Sequence, residues 1–102
     1  MPTLKEIYVK FYPNLVAVLP MDDATFMAQL YSNNLLPGDG KAKVEAQQTR
    51  ADKASYFLDN YVEKGFVVDD STNPTFYSLL SVMQSNDDPL LKSVAGTIKK
   101  SI

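Results

Sequence analysis

Apolar residues recur at intervals of three and four along most of this chain, and the runs are punctuated by Pro, Gly, Asn and Asp. Leu4, Ile7, Tyr8, Phe11, Leu15 and Leu19 make the first run, which places them along one face of a helix. Thr3, with Glu6 three residues on, forms a capping box at its start. Pro13 falls inside the run. Its ring clashes with the carbonyl of Val9 and supplies no N–H, so a kink or a break into two half-helices is expected.

Asp22 or Asp23 caps a second helix whose inward face is Phe26, Met27, Leu30 and Tyr31. It ends near Ser32-Asn33-Asn34, where Asn tolerates the left-handed conformation, and Leu35 and Leu36 anchor the turn in the core. Pro37-Gly38-Asp39-Gly40 reads as a turn, followed by a weak helical stretch from Lys41 to Gln48 centred on Val44. Thr49 caps the fourth segment, Asp52 sits in its first turn, and Ala54, Phe57, Leu58, Tyr61 and Val62 follow the helical template. Gly65 stands where a glycine closes a helix, and Phe66-Val67-Val68 reads as a buried linker. Asn73-Pro74 and Asp88-Pro89 are two further start signals. They lead into helices with inward faces Phe76, Leu79, Leu80, Met83 and Leu91, Val94, Ala95, Ile98, and Lys99 and Lys100 complement the last dipole. The reading is one all-α domain over residues 1–102, a bundle of six helices with the first one kinked.

Composition narrows what such a bundle does. The chain has no Cys and no His, which removes the thiolate nucleophile, the disulfide framework, the commonest general base and the commonest transition-metal ligands. A catalytic role, a cofactor and a metal are therefore not expected. A formal charge of -2 argues against a nucleic-acid partner, because phosphate binding shows as a basic excess. No apolar run reaches the ~18 residues of a membrane span, and Met1–Glu6 lacks the basic-then-apolar design of a secretory signal. A cytoplasmic location with neither membrane nor small-molecule partner is the expectation.

Particular residues carry a resemblance. Leu35-Leu36-Pro37 precedes the third helix; Thr49-Arg50-Ala51-Asp52-Lys53-Ala54 opens the fourth; Phe57-Leu58-Asp59 and Lys64-Gly65 close it; Thr75-Phe76-Tyr77-Ser78-Leu79-Leu80 leads the fifth. This pattern, from Leu15 to Ile98, resembles the caspase-recruitment domain (CARD) of the death-fold superfamily. The resemblance implies an antiparallel Greek-key bundle and a non-catalytic adaptor. Such a domain associates with other CARDs or with itself, as pairs or filaments, in apoptotic or innate-immune signalling, including inflammasome assembly. A heterologous contact of that kind does not close after two subunits. Death domains usually carry a tryptophan in the fifth helix, and this chain has none.

The resemblance also implies two oppositely charged surfaces. The basic one would draw on the first and fourth helices, where Lys5, Lys10, Arg50 and Lys53 are available, and the acidic one on the second and third, with Asp22, Asp23, Asp39 and Glu45. Lys41 and Lys43 dilute the acidic side. Two alternatives stay beside this reading: a different helical bundle that recognises peptides through an apolar groove, and the prodomain of a caspase-like protease zymogen. Other signals are weaker. Gly38-Asp39-Gly40-Lys41 lacks the leading glycine and the Ser or Thr of a phosphate loop, having Leu35 and Ala42 instead. Asp69-Asp70 and Asp87-Asp88 lack calcium-loop spacing, and no serine sits in a Ser-x-x-Lys arrangement.

Overall fold

The computed structural model describes residues 2–102, and among them it contains six α-helices and no strand. Helix α1 spans Leu4–Val18, α2 Ala24–Ser32, α3 Gly38–Glu45, α4 Arg50–Phe57, α5 Pro74–Ser85 and α6 Pro89–Ser101. A π-helical turn, Leu58–Val62, and a 3-10 turn, Glu63–Gly65, continue α4 without interruption.

Most helix starts are written in single side chains. Thr3, Asp23, Thr49, Asn73 and Asp88 each accept a hydrogen bond from a backbone N–H two or three residues on, satisfying donors that the helix itself leaves free. Helix α2 ends as expected of asparagine. Asn34 has φ 60°, Leu35 N–H donates to Leu30 O at 2.9 Å and Asn34 N–H to Tyr31 O at 3.1 Å. That is the paired bonding of a Schellman stop, with buried Leu30 and Leu35 supplying its apolar contact.

Four local expectations need correction. Helix α1 runs unbroken through Pro13 instead of dividing into two half-helices. Proline cannot bond the carbonyl of Val9, but both residues lie on the exposed face, where the lost bond costs less than it would in the core. Gly38-Asp39-Gly40 is the first turn of α3 rather than a free turn, and Gly40 is buried against Tyr61 and Pro37. Val67 and Val68 are 81% and 83% exposed, so only Phe66 of that linker packs inward, edge-on to Tyr8 at 5.8 Å. Tyr31, placed on the inward face of α2 by its spacing, is 53% exposed because the helix ends one residue later.

The core gathers every helix. Tyr8, Phe26, Phe57 and Phe76 are fully buried among Leu15, Leu19, Leu30, Leu58, Leu79, Leu80, Met83, Leu91 and Ile98. Tyr8 stands edge-on to Phe76 at 5.4 Å, a favoured aromatic geometry. Helix α5 packs on α6 and α2, α1 on α6 and α4, and α3 on α4 and α2.

Candidate interaction surfaces

The end of α1 and the starts of α2 and α4 meet at one corner, and four expected contact residues are there. Arg50, the first residue of α4, donates through Nη1 to Val16 O at 2.8 Å and to Leu19 O at 2.9 Å. These carbonyls close α1, whose last turn has no basic residue of its own. The guanidinium of another helix thus supplies the cation that the α1 dipole and its free carbonyls call for. Lys53 Nζ lies 2.8 Å from Asp22 Oδ1, with the lysine side chain only 19% exposed and the aspartate 61%. Asp23 Oδ1 accepts from Thr25 N–H at 2.9 Å as the cap of α2.

These bonds bear on the expected basic surface without deciding it. Arg50 and Lys53 are expected as neighbours on one face of a basic contact surface; in the fold Arg50 is bonded to α1 and Lys53 to Asp22, a member of the opposing acidic set. The sequence places them three apart on a helix but cannot show that α1 and α2 arrive with acceptors. Lys5 lies about 16 Å from Val16 along the α1 axis, at 1.5 Å per residue. Its own N–H donates to Asp70 O at 2.8 Å, tying the start of α1 to the loop before α5. Lys10 is exposed, with Nζ 5.5 Å from the Phe11 ring centroid. The four basic residues therefore do not form one patch.

On the acidic side, Asp39 and Glu45 are exposed on α3. Asp39 pairs with Lys43 at 3.3 Å across one helical turn, and this pairing holds the Lys43 ammonium above its ordinary pKa. Both partners are solvated, so the pair contributes little to stability. Glu45, Lys5 and Lys10 are the members of the two sets whose side chains have no ion pair or hydrogen bond among the described residues.

Two further features were not legible in the sequence. Tyr8 and Tyr12 on α1 reach the π-helical turn: Tyr8 Oη donates to Leu58 O at 3.2 Å and Tyr12 Oη to Asp59 Oδ1 at 2.8 Å. Burial, then the negative charge of Glu63, pushes the Tyr8 phenol far above its ordinary pKa. Tyr12 is pushed up as well, chiefly by burial, with the Asp59 carboxylate that accepts its hydroxyl acting in the same direction. The second feature is a groove of about 130 Å³ between α2 and α5, lined by Gln29, Asn33, Ser81, Val82 and Ser85.

Among the described residues no group of three or more Asp or Glu is arranged to hold a metal ion, and no helix is long and apolar enough to cross a membrane. No family model, curated protein or solved structure matches the chain. The class that the structure defines is a six-helix α bundle.

Proposed function

We propose that this bundle is a cytoplasmic protein-interaction domain of the CARD type, which recruits like domains, or copies of itself, through complementary charged surfaces. The observation that carries the reading is the coincidence of the quoted CARD-like residues with structural positions that make them necessary. Leu35 and Leu36 are buried before Pro37, the residue that precedes α3; Thr49 caps α4; Phe57 and Leu58 are fully buried; and Phe76, Leu79 and Leu80 of α5 are buried. The charge on the exterior supports recognition by surface contact, and Lys5 and Lys10 on α1 facing Glu45 of a neighbour's α3 is the pairing left after the internal bonds are subtracted. Exposed pairs contribute ~0–1 kcal/mol each, so several must act together.

A second reading, recognition through apolar surface, is favoured by the exposed Val67-Val68 loop. Salt separates the two. Light scattering of the purified chain across protein concentration should show association that weakens as ionic strength rises from ~0.05 to ~0.5 M, over which the Debye length shortens severalfold. Association indifferent to salt would favour the apolar reading, and a monomer under every condition would reject self-association.

A further inference from the structure

Helix α6 holds a glycine that the fold does not explain. Gly96 lies inside the helix, where glycine costs stability relative to alanine. Its φ is not positive, and the nearest atom to an added Cβ is Gln84 Nε2 at 4.0 Å, so neither handedness nor space calls for it. Its neighbours across the helical turns are Lys92, Ser93, Lys99 and Lys100, all exposed. The result is a notch without a side chain, with lysine stems for walls and ammonium groups at its rim. Lys99 Nζ donates to Gln84 Oε1 at 2.7 Å, while Lys92 and Lys100 have no ion pair among the described residues.

Charge is segregated along the chain in the same sense. All 12 Asp and Glu residues precede Pro89, so α6 carries its lysines with no acidic group of its own. The opposite balance holds from Phe66 to Asp88, which has no Lys or Arg. Within that stretch the loop before α5 offers Val67 and Val68, 81% and 83% exposed, beside exposed Asp69 and Asp70. The loop is tied at two points, by Phe66 against Tyr8 and by Asp70 O, which accepts from Lys5 N–H at 2.8 Å. A loop held in shape loses less freedom on docking. Asp69 spends one oxygen on Ser71 N–H at 2.8 Å, and neither aspartate has an ion pair among the described residues.

We infer that the Gly96 notch of α6 docks the Val67–Asp70 loop of a second copy of this chain. A valine side chain takes the space that the glycine leaves, and the two aspartates meet Lys92 and Lys100. Each surface supplies what the other lacks: exposed apolar side chains against a gap, and anions against cations. Exposed ion pairs are individually weak, so the close approach at the glycine is what makes the contact selective. The contact is heterologous, the loop of one copy meeting the notch of the next. The choice of a second copy rests on the interaction-domain reading, but the contact is separate from the pairing of Lys5 and Lys10 with Glu45.

Sedimentation equilibrium on two charge-reversed variants tests the contact. Lys92→Glu with Lys100→Glu alters only the notch, and Asp69→Lys with Asp70→Lys alters only the loop. Each alone should self-associate roughly tenfold more weakly than the parent, the worth of two exposed ion pairs. An equimolar mixture should regain association, because the intact loop of one variant then meets the intact notch of the other. Gly96→Gln fills the notch without adding charge. It should leave the thermal midpoint no lower and still weaken association; a purely structural glycine would give the reverse pattern. Should a reversed variant fail to fold, a peptide spanning Phe66–Asn73, titrated into the labelled parent chain, should shift the Lys92, Gly96 and Lys100 amides saturably. Unchanged association in Gly96→Gln, no recovery in the mixture of folded variants, no saturable shift at Gly96, or a chain monomeric at every concentration would each overturn the assignment. Lys10→Glu separates the two readings. Association lost there and kept in Gly96→Gln removes the notch and leaves the α1 surface standing; the opposite pair of results keeps the notch and removes the α1 surface.

Discussion

Asn73 has no access to solvent, yet both ends of its amide are satisfied. Nδ2 donates to Val62 O at 2.7 Å, and Oδ1 accepts from Phe76 N–H at 3.0 Å, so one side chain caps α5 and ties it to the π-helical turn. Gly65 follows from this. Its φ is not positive, so the glycine needed here answers to space rather than to handedness, and an added Cβ would land on the Asn73 side-chain amide. Asn73→Ala should cost about 2–3 kcal/mol, because a buried carbonyl and a buried N–H both lose their partner. Gly65→Ala should also be destabilising, and the double variant should cost clearly less than the sum, since removing the amide removes the obstacle. Urea denaturation of the four proteins measures the cycle; strict additivity would contradict the contact. Arg50 is the other residue whose role is internal. Arg50→Met should lower stability by about 1–2 kcal/mol, below the ~1.5–3 kcal/mol of hydrogen bonds to a fully buried charged group because the site is part-exposed. Arg50→Lys should recover only part of it, because an ammonium is a compact charge on a flexible stem. Charge reversal at Arg50 thus mixes a loss of stability with any effect on association, and Lys10→Glu is the cleaner probe of contact.

At the scale of elements, what could be read from the sequence was what is decided within one turn. The caps Thr3, Thr49, Asn73 and Asp88, the left-handed Asn34 and the buried faces of α4, α5 and α6 rest on bonds or spacings of two to four residues, and each is legible as such. The π-helical turn is not. It lies in Leu58–Val62, a stretch without Gly or Pro, where the N–H of Glu63 reaches back five residues to Leu58 O. That same carbonyl accepts the Tyr8 hydroxyl from 50 residues away, a partner no local pattern announces. Pro13 misleads for the opposite reason: the local rule is sound, but its cost falls on the exposed face and the buried face of α1 continues past it. Pro13→Ala should therefore raise the thermal midpoint, by an amount well short of the ~3 kcal/mol helix penalty because proline also restrains the unfolded chain. A lowered midpoint would show that the ring makes contacts that matter more than the missing bond.

At the scale of the whole molecule, the expected contact residues were legible as charged and not as free. Lys53 and Asp22 are 31 positions apart, and Arg50 meets carbonyls 31 and 34 positions away, so long-range packing decided which charges remain outside. The same packing sets the response to alkali. Tyr8 is almost wholly buried, its hydroxyl is bonded to Leu58 O, and burial with the nearby charges of Glu63 and Asp59 disfavours its ionised form. Its folded pKa is raised above the ~10 of an unfolded tyrosine, so the unfolded chain gives up its proton first. The sign follows: this contribution is fully present below pH ~10 and is lost as pH rises toward the folded pKa. Tyr12 and Tyr61 are shifted in the same direction, chiefly by burial, but their greater exposure makes their share smaller. Denaturant midpoints should hold steady through neutral pH and fall above pH ~10, with tyrosinate absorbance rising together with unfolding. Tyr8→Phe should be weaker at neutral pH by about 0.5–1.5 kcal/mol, the net worth of one hydrogen bond, and should fall less steeply in alkali. A variant whose alkaline slope matches the parent would place the responsible group elsewhere in the bundle.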